Sequence, residues 1–520
     1  MPPATLNDET SLVLLRNNAS SCTIQTLPPE LLLQIFMKNT ELDDPLHDRL
    51  HTARYSSQVC RLWREQLLAY PPVWGRLLHL KYYVRVLDVW REEMLSRIGD
   101  ALLWITGDVN RYTSAFFFSI LQKKWQNVQI LHISFPLLPF LGYRNAMQPI
   151  LYRDAPNLEK ISLNADPLYK HSDEHWTQFP SESPSTLFNG VAPRLRHVRL
   201  YPWFNFDATA PWLSALHSIV LFTYHTVPII LSILKSTPLL RSIRIDGEFD
   251  EMPSVMDYTD LNTVPLLHLD SLELRGCPTY LASLLESIDL PSRRPGQLRR
   301  LSIGTCNHEH IELSTGTKLE RVRCTVMERI QAYMDDFPPE YINLSENQLQ
   351  GSRHTVFIRN THPSRLSHKR SNSLSLKISL SGPLRPLILH LAASPSFSAT
   401  QGLYVYPDVP VEPLLPLYKA FHSVTELSVE FGLCQLLDAV DQYSLFPSLC
   451  TLRCDVYSTL TAFSRLLDFV ENRASIGSPL STFYLREERF CDLPDDKKSR
   501  LYGIPGLVVE LTQPRSLYDN

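Results

Sequence analysis

The sequence predicts an α/β fold in which a short helical module precedes a long array of strand–helix units. Two apolar segments with helical spacing lie close together near the amino terminus, within residues 24–76. A short pattern with apolar residues at its first, fourth and sixth positions then recurs between residues 128 and 454. Several copies of this pattern precede a segment with helical spacing, as in VPIILSILK. Strands that alternate with helices along a chain indicate a mainly parallel sheet with helices packed against it.

Composition and charge narrow the class of protein. The chain has 520 residues, 44% of them hydrophobic and 20% charged, which is sufficient for a large core. Its 50 basic and 54 acidic residues give a net charge of −4, so the composition does not favour nucleic-acid binding. No uniform apolar stretch reaches the roughly 20 residues of a membrane span, and the amino terminus lacks the basic start of a signal peptide. With nine scattered cysteines, a reducing cytoplasmic or nuclear location is expected.

The segment TLPPELLLQIF at residues 26–36 predicts the first helix. Pro28 and Pro29 suit the first turn of a helix, where a missing amide hydrogen costs nothing, and Glu30 suits the positive end of its dipole. Apolar residues then repeat at intervals of four, so most of the helix circumference is apolar. A second segment, YSSQVCRLWREQLLAYPPVW, has the same helical spacing and ends at a pair of prolines. Two helices of this size cannot bury all their apolar residues against each other, so part of this surface is expected to meet another partner.

Order, residue type and spacing in these two segments resemble the F-box. The agreement rests on Leu27, Pro28, Glu30, Leu31, Leu32, Ile35, Phe36, Val59, Cys60, Trp63, Arg64, Pro72 and Trp74. In F-box proteins this module docks on the small S-phase-kinase-associated adaptor of SCF-type cullin–RING ubiquitin ligases. The resemblance therefore implies that the adaptor contacts Leu27, Pro28, Leu31, Leu32, Ile35, Phe36, Val59, Cys60 and Trp63.

The stretch between the two halves of this motif, MKNTELDDPLHDRLHTARYS, departs from the usual F-box because it is longer and rich in charge. Such insertions are similar to those of mushroom-type fungal F-box proteins, and they leave the middle helix of the module undefined. The alternative interpretation is a plain helical hairpin that caps the following domain, because short motifs also occur by chance.

Beyond residue 100 the chain repeats one pattern at irregular intervals. Each copy alternates apolar and polar residues, as a short strand does. The apolar positions of successive copies are Val128, Leu131 and Ile133; Leu158, Ile161 and Leu163; Leu195, Val198 and Leu200; Leu216, Ile219 and Leu221; Leu240, Ile243 and Ile245; Leu269, Leu272 and Leu274; Leu298, Leu301 and Ile303; Leu319, Val322 and Cys324; Val424, Leu427 and Val429; and Leu449, Leu452 and Cys454.

This alternation of strands and helical segments resembles leucine-rich repeats. That family forms a right-handed solenoid with a parallel sheet on its concave face, because no single repeat can bury its apolar face alone. The match is weakest over residues 335–415, where HTVFIRN, SLKISL and GLYVYPD keep only part of the pattern. The expected organisation is a flexible N-terminal segment at 1–23, the F-box at 24–76, a connecting helix at 77–100, the solenoid at 101–490 and a C-terminal cap or tail at 491–520.

No constellation of residues indicates an active site or a metal centre. The motifs of acyl transfer, nucleotide hydrolysis, zinc proteolysis and dinucleotide binding do not occur in the sequence. Cys306, His308 and His310 could suggest zinc. However, Cys306 follows Leu298 at the spacing where a leucine-rich repeat carries Asn or Cys. We therefore expect no catalytic residue, no cofactor and no bound metal.

The leading hypothesis is a non-catalytic substrate receptor of an SCF-type ubiquitin ligase, which binds a target protein through its solenoid. We expect no contact with nucleic acid or a membrane. An adaptor-bound scaffold without a role in degradation is the main alternative, and an unrecognised enzyme has no motif to support it. Polar residues between the repeat leucines are the candidate target contacts, and they serve equally well as solvated strand surface. These candidates are Arg196, His197, Arg199, Arg241, Ser242, Arg244, Arg300 and Ser302.

Overall fold

The computed structural model describes residues 27–41, 49–84, 86–136, 140–165, 187–200, 207–222, 226–246, 261–290, 298–305, 316–346, 355–360, 373–379, 385–405, 411–429, 436–440, 444–454 and 460–512. The chain forms two compact units, Met1–Trp212 and Leu213–Asn520, and each is described by itself below. Helices and strands alternate in both, and most strand pairs are parallel. The mixed α/β class with a mainly parallel sheet, which the sequence predicts, is therefore confirmed.

The first unit begins with helices α1 Pro29–Lys38, α2 Arg49–Val59, α3 Arg61–Leu68, α4 Pro71–Arg76 and α5 Asp88–Ile98. Helix α1 starts at Pro29, where the prolines predict a helix start. The helical path breaks at Cys60, so the second apolar segment is divided between α2 and α3. Helix α4 begins at Pro71, because a proline cannot continue α3 but suits a first turn.

A parallel sheet follows in the first unit. Its strands are β1 Leu103–Asp108, β2 Val128–Phe135, β3 Lys160–Ala165 and β4 His197–Arg199, hydrogen-bonded in that order. Helix α6 Ser114–Lys124 lies between β1 and β2 in the chain, and α7 Phe140–Leu151 lies between β2 and β3. Parallel neighbours need such crossover connections, which explains the alternation of strand and helix. Short 3₁₀ helices lie at Leu80–Tyr83, Trp125–Asn127 and Leu187–Gly190.

The second unit contains more of the same alternation. Its strands are β5 Ser218–Phe222, β6 Ser242–Asp246, β7 Val264–Pro265, β8 Ser271–Gly276, β9 Ile288–Asp289, β10 Arg300–Thr305, β11 Tyr341–Glu346, β12 Thr355–Arg359, β13 Ser373–Ser379, β14 Gly402–Val405, β15 Glu426–Val429, β16 Thr451–Cys454, β17 Thr482–Arg486 and β18 Val508–Thr512. Its helices are α8 Val227–Lys235, α9 Pro278–Ser287, α10 Gly316–Asp336, α11 Arg385–Ala392, α12 Val411–Ala420, α13 Leu460–Ser475, α14 Glu487–Cys491 and α15 Asp495–Tyr502, with a 3₁₀ helix at Pro395–Ala399.

The strands of the second unit are paired in the order β5-β6-β8-β10-β13-β12-β11-β14-β15-β16-β17-β18, while β7 and β9 pair separately. Strand β12 is antiparallel to both its neighbours, β11 and β13. It lies in the region where the sequence pattern is weakest. The connection from β11 to β12 spans only the eight residues 347–354, which is too short for the crossover that a parallel neighbour needs. Strand β18 lies in the segment expected as a C-terminal cap or tail and pairs in parallel with β17.

The repeated apolar positions line the core of both units. At the fourth position of the pattern the side chain is almost fully buried in each copy that forms a strand: Leu131, Ile161, Val198, Ile219, Ile243, Leu272, Leu301, Leu427 and Leu452. The sixth position is buried in the same copies. At the first position Leu298 is only half-buried, whereas its counterparts in the other strand-forming copies are buried.

A backbone ladder connects consecutive copies of the pattern. The carbonyl oxygen of Arg241 accepts hydrogen bonds from the N–H groups of Asp270 and Ser271 at 2.7 and 2.9 Å. One carbonyl shared by two consecutive N–H groups sets the register of the following strands, so that Leu272 lies beside Ile243. The same arrangement, in which one carbonyl oxygen accepts from two consecutive N–H groups, recurs at Glu159, His217, Asp270, Gln401, Thr425 and Cys450.

One segment that the pattern predicts as a strand is a helix. KLERVRCTV, with Leu319, Val322 and Cys324 at the pattern positions, lies within α10. Its first and fourth positions are three residues apart, a spacing that a helix also uses. The chain then continues with good helix formers and no turn signal, as ERIQAYMDD shows. A buried helical stripe follows, formed by Val326, Ile330, Tyr333 and Met334. The strand prediction is therefore wrong here.

Within the described parts of the chain, no helix is long and apolar enough to cross a membrane. The same parts contain no group of three or more His, Cys, Asp or Glu side chains that could hold a metal ion. The zinc candidates Cys306, His308 and His310 lie outside the described residues, as does the segment 1–23.

Candidate docking surface and sheet face

Helix α1 divides the predicted adaptor residues between a buried and an exposed side. Leu32 and Phe36 are 1% and 3% exposed, and the ring of Phe36 meets the indole of Trp63 edge-on with centroids 5.4 Å apart. Leu31 and Ile35 are instead 45% and 42% exposed. Because residues four apart share one stripe of a helix, α1 buries one stripe and leaves the other in solvent.

The turn between α2 and α3 exposes further apolar side chains. Cys60 is the N-cap of α3, and its Sγ accepts a hydrogen bond from the backbone N–H of Trp63 at 3.5 Å. Val59 and Leu62, on either side of this cap, are 59% and 40% exposed, and Tyr55 is 66% exposed. The sequence prediction included Val59 but omitted Leu62 and Tyr55. Tyr55 precedes Val59 by four residues, and this helical spacing could have identified it.

The remaining residues of the predicted adaptor set border these helices. Leu27 is half-buried and Pro28 is exposed immediately before α1. Trp63 is half-buried, and its buried Nε1 has no hydrogen-bond partner among the described residues. By contrast, the Nε1 of Trp74 donates to the carbonyl oxygen of Leu67 at 2.9 Å. We use the name apolar docking set for Leu31, Ile35, Tyr55, Val59 and Leu62.

A buried arginine anchors the middle helix of this module. The Arg49 guanidinium donates to the carbonyl oxygens of Thr40 and Arg76 at 3.3 and 3.2 Å, and to Oγ1 of Thr106 at 3.3 Å. It therefore joins the start of α2 to the end of α1, to α4 and to β1. Arg49 belongs to the charge-rich stretch that departs from the F-box pattern, and nothing in the sequence distinguishes it from the solvated charges beside it.

The predicted target contacts Arg196, His197 and Arg199 lie in the first unit. Arg199 is half-buried on β4, next to Ser162 of β3 in register. His197 is exposed at the start of β4. Arg196 precedes the strand, and its Nη1 donates to the carbonyl oxygens of Pro193 and Leu195 at 3.2 and 3.0 Å.

The other predicted target contacts lie in the second unit. On the open face of its sheet, Arg244 of β6 and Ser302 of β10 flank Glu273 of β8 in register. One row earlier, Ser242 and Arg300 lie on either side of β8 in the same way. Arg241 is exposed immediately before β6. The structure thus places Ser242, Arg244, Arg300 and Ser302 on one sheet face.

Ion pairs within the sheet engage Arg244. Its Nη2 lies 2.8 Å from Oδ2 of Asp246, and its Nη1 lies 3.6 Å from Oε1 of Glu273. Arg275 pairs with the same Glu273 oxygen at 2.9 Å. Two guanidinium groups and two carboxylates therefore balance each other. Only the pair of Arg244 with Glu273 joins two strands, and such cross-strand pairs stabilise a sheet. Together the pairs leave Arg244 with little net charge to attract an anion.

An aromatic and charged cluster near the carboxyl end of the second unit was not predicted. The guanidinium of Arg453 stacks over the ring of Tyr484 at 4.1 Å, and its Nε donates to Oε1 of Glu426 at 3.2 Å. Burial raises the pKa of the Tyr484 hydroxyl, and the neighbouring Glu510 carboxylate raises it further. Tyr484 escaped prediction because LSTFYLREE was not recognised as a copy of the pattern, although its apolar residues fit all three positions: Leu480, Phe483 and Leu485.

Comparison of the sequence with protein-family models found none that matches, and a search of curated proteins found no match. Function is therefore inferred from the surfaces described above.

Proposed function

We propose that this chain is the substrate-recognition subunit of an SCF-type cullin–RING ubiquitin ligase. In this role the helices α1 to α4 act as an F-box that docks on the S-phase-kinase-associated adaptor. The strand–helix repeats act as a leucine-rich-repeat solenoid that holds a target protein on its open sheet face.

The observation that carries the proposal is the exposure of the apolar docking set. Leu31 and Ile35 on α1 and Val59 at the end of α2 are between 42% and 59% exposed. Helix α1 and helix α2 both pack against α3, so these side chains belong to one helical group. Large apolar side chains left exposed on adjoining helices support a site of protein contact there. The same three residues are among those that the F-box resemblance assigns to the adaptor.

The alternation along the strands supports the second half of the proposal. In β8, Leu272 and Leu274 are buried, whereas Ser271, Glu273 and Arg275 are half-buried on the other face. The second face is thus lined with polar side chains from neighbouring strands. A sheet face of this kind can hold a protein through hydrogen bonds and ion pairs along several strands.

A receptor of this kind needs no reactive side chain of its own. It raises the effective concentration of target lysines near ubiquitin that other subunits carry. Its contribution to the reaction is proximity and orientation, which depend on a rigid connection between docking surface and target.

The double variant Leu31→Asp with Ile35→Asp tests the adaptor contact. Two apolar side chains that would be buried on docking are replaced by carboxylates, so we expect a loss of several kcal/mol of binding free energy. Titration calorimetry with the purified adaptor measures this loss. The matched control is Ile229→Asp with Leu239→Asp in the second unit, because these residues are 44% and 45% exposed. Unchanged affinity in the first variant, or an equal loss in both, would refute adaptor docking through α1.

A second experiment separates a degradation receptor from a scaffold. Proteins bound by the intact chain and by the Leu31→Asp, Ile35→Asp variant are compared under proteasome inhibition. We expect a specific bound protein to accumulate in a ubiquitin-modified form only with the intact chain. A bound protein whose amount and modification are the same in both would favour the scaffold alternative.

A further inference from the structure

Three basic side chains lie on the open face of the first unit's sheet. The strand register places His132 of β2, Ser162 of β3 and Arg199 of β4 side by side. Lys160 precedes Ser162 by two residues on β3, so it projects from the same face. Its neighbour in register on β4 is the exposed His197. Ile161, between them in sequence, is buried on the opposite face. The basic residues were not recognised together from the sequence, because Lys160 and His132 belong to different copies of the pattern.

The charges of this group interact with one another. The pKa of His132 is lowered, first by partial desolvation and then by the positive charges of Lys160 and Arg199. The carboxylate of Asp108 on β1 acts in the opposite direction. On β2 itself the residues two positions away from His132 are uncharged. The imidazole therefore lies in a locally positive field that Asp108 only partly offsets.

Two members of the group are open to solvent. Lys160 and His132 are both exposed. Among the described residues, neither the Lys160 amine nor the His132 imidazole makes a hydrogen bond or an ion pair. This distinguishes them from Arg244 in the second unit, which is paired with Asp246 and Glu273.

The spacing of the three cations indicates what kind of anion they fit. His132 and Arg199 are two strands apart, about 10 Å across the sheet, and Lys160 is about 7 Å along the strand from Ser162. A single phosphate is bound where donors converge on one group, whereas the strand positions of these side chains are spread over about 10 Å. Alternate side chains of an extended peptide are about 7 Å apart, so a segment with several carboxylates matches the spread.

We propose that His132, Lys160 and Arg199 form a binding site for an extended acidic segment of a target protein. The site deepens the proposed function, on which it rests for the statement that the ligand is a ligase target. Lys160 supplies the accessible positive charge, His132 gains a proton beside a bound carboxylate, and Arg199 adds to the field at the edge of the group.

Acidic ligands should bind this site more tightly as the pH falls. In the free protein the pKa of His132 is lowered, first by partial desolvation and then by its positive neighbours. A carboxylate placed beside the imidazole favours its charged form, so the pKa of His132 is higher in the complex than in the free protein. Binding therefore takes up a proton, and affinity increases as the pH is lowered through the interval between the two pKa values.

Fluorescence anisotropy with the full chain tests this site directly. The probe is a labelled peptide of about twelve residues, roughly 40 Å when extended, in which Glu alternates with Thr. We expect Lys160→Gln to weaken binding about two- to five-fold, the range for one exposed ion pair. Lys123→Gln, an exposed lysine on α6, is the matched control and should bind as the wild type does. His132→Gln should reduce the change in affinity between about pH 8 and pH 6, and His132→Gln with His197→Gln should remove it, because the imidazole of His197 lies beside Lys160 in register.

Three outcomes would overturn the proposal: equal affinity of Lys160→Gln and wild type, an affinity of the wild type that is independent of pH, or equal binding of a peptide with Gln in place of Glu. Tighter binding of inorganic phosphate or of a single-stranded oligonucleotide through Lys160 would replace the acidic segment by a phosphate ligand and would also overturn it. Adaptor affinity is measured in the same variants and should be unchanged. A failure at this site thus leaves the adaptor result intact, so it is distinguishable from a failure of the proposed function.

Discussion

Gly402 at the start of β14 shows how one missing side chain shapes the sheet. Its partner in register is Tyr341 of β11, and the ring of Tyr341 occupies the space where a Cβ at residue 402 would lie. Glycine weakens a strand in general because it has no side chain to pack. Here the ring of Tyr341 covers the glycine, so the ring shields the strand backbone from solvent.

We expect Gly402→Ala to destabilise the second unit by about 1 to 3 kcal/mol, because the new methyl group displaces the Tyr341 ring. The cost should shrink when Tyr341→Ala is added, since the two residues share one space. Chemical denaturation of both single variants and the double variant measures this coupling. Gly142→Ala in α7 is the control, because a Cβ there meets nothing within 4 Å. Additive costs of the two substitutions would contradict this packing.

At the scale of elements, apolar periodicity predicted most of the strands whose three pattern positions are aliphatic. It failed at Leu319 and Val322, because a spacing of three also suits a helix and the decisive helical stripe begins only at Val326. It could not predict the antiparallel pairing of β12, which depends on chain connections rather than on apolar positions. Strand β17 was missed although Phe483 follows the pattern, because its copy carries an aromatic residue in place of an aliphatic one.

An arginine of helix α10 caps the carboxyl end of α9. Nη2 of Arg329 donates to the carbonyl oxygens of Leu285 and Ile288 at 3.1 and 3.4 Å. The last carbonyl groups of a helix have no partner within the helix, so this arginine satisfies acceptors that α9 leaves open.

The substitution Arg329→Met should loosen the end of α9. Loss of hydrogen bonds from a charged donor costs about 1.5 to 3 kcal/mol. The backbone amides at the end of α9 should therefore exchange roughly tenfold or more faster. Hydrogen exchange of residues 278–290 measures this effect. Glu328→Gln, an exposed neighbour on the same helix, should leave the exchange unchanged. Equal protection in the Met variant would show that Arg329 does not hold the end of α9.

At the scale of the whole molecule, the two candidate surfaces were predictable to different degrees. For the candidate docking helices, a short motif combines residue type with spacing, so Leu31 and Ile35, which the structure leaves exposed, could be named in advance. On the sheet faces, position alone could not separate Arg244, which is paired within the fold, from Lys160, which has no pairing partner among the described residues. Ion pairing depends on neighbouring strands, and a single sequence does not show which copies of a repeat become neighbours.

Leu272→Ala tests whether damage stays within one unit. Leu272 is fully buried in β8, so its truncation should cost about 2 to 5 kcal/mol. Glu273→Ala on the open face should cost about 1 kcal/mol or less, because its ion pairs are partly exposed. Repeats contact mainly their neighbours, so limited proteolysis should increase first near residues 240–303. Adaptor binding through residues 27–76 should be unchanged. Loss of adaptor binding together with the increased proteolysis would contradict independent units.

Hydrogen–deuterium exchange of the full chain, with and without the purified adaptor, tests the central claim most directly. The account predicts that the adaptor slows exchange in α1 and around the turn between α2 and α3, within residues 27–76, because the apolar docking set becomes buried there. Exchange in the strands of the second unit should be the same with and without the adaptor. Binding that leaves residues 27–76 unprotected, or that protects the sheet instead, would contradict the assignment of these helices as the docking module.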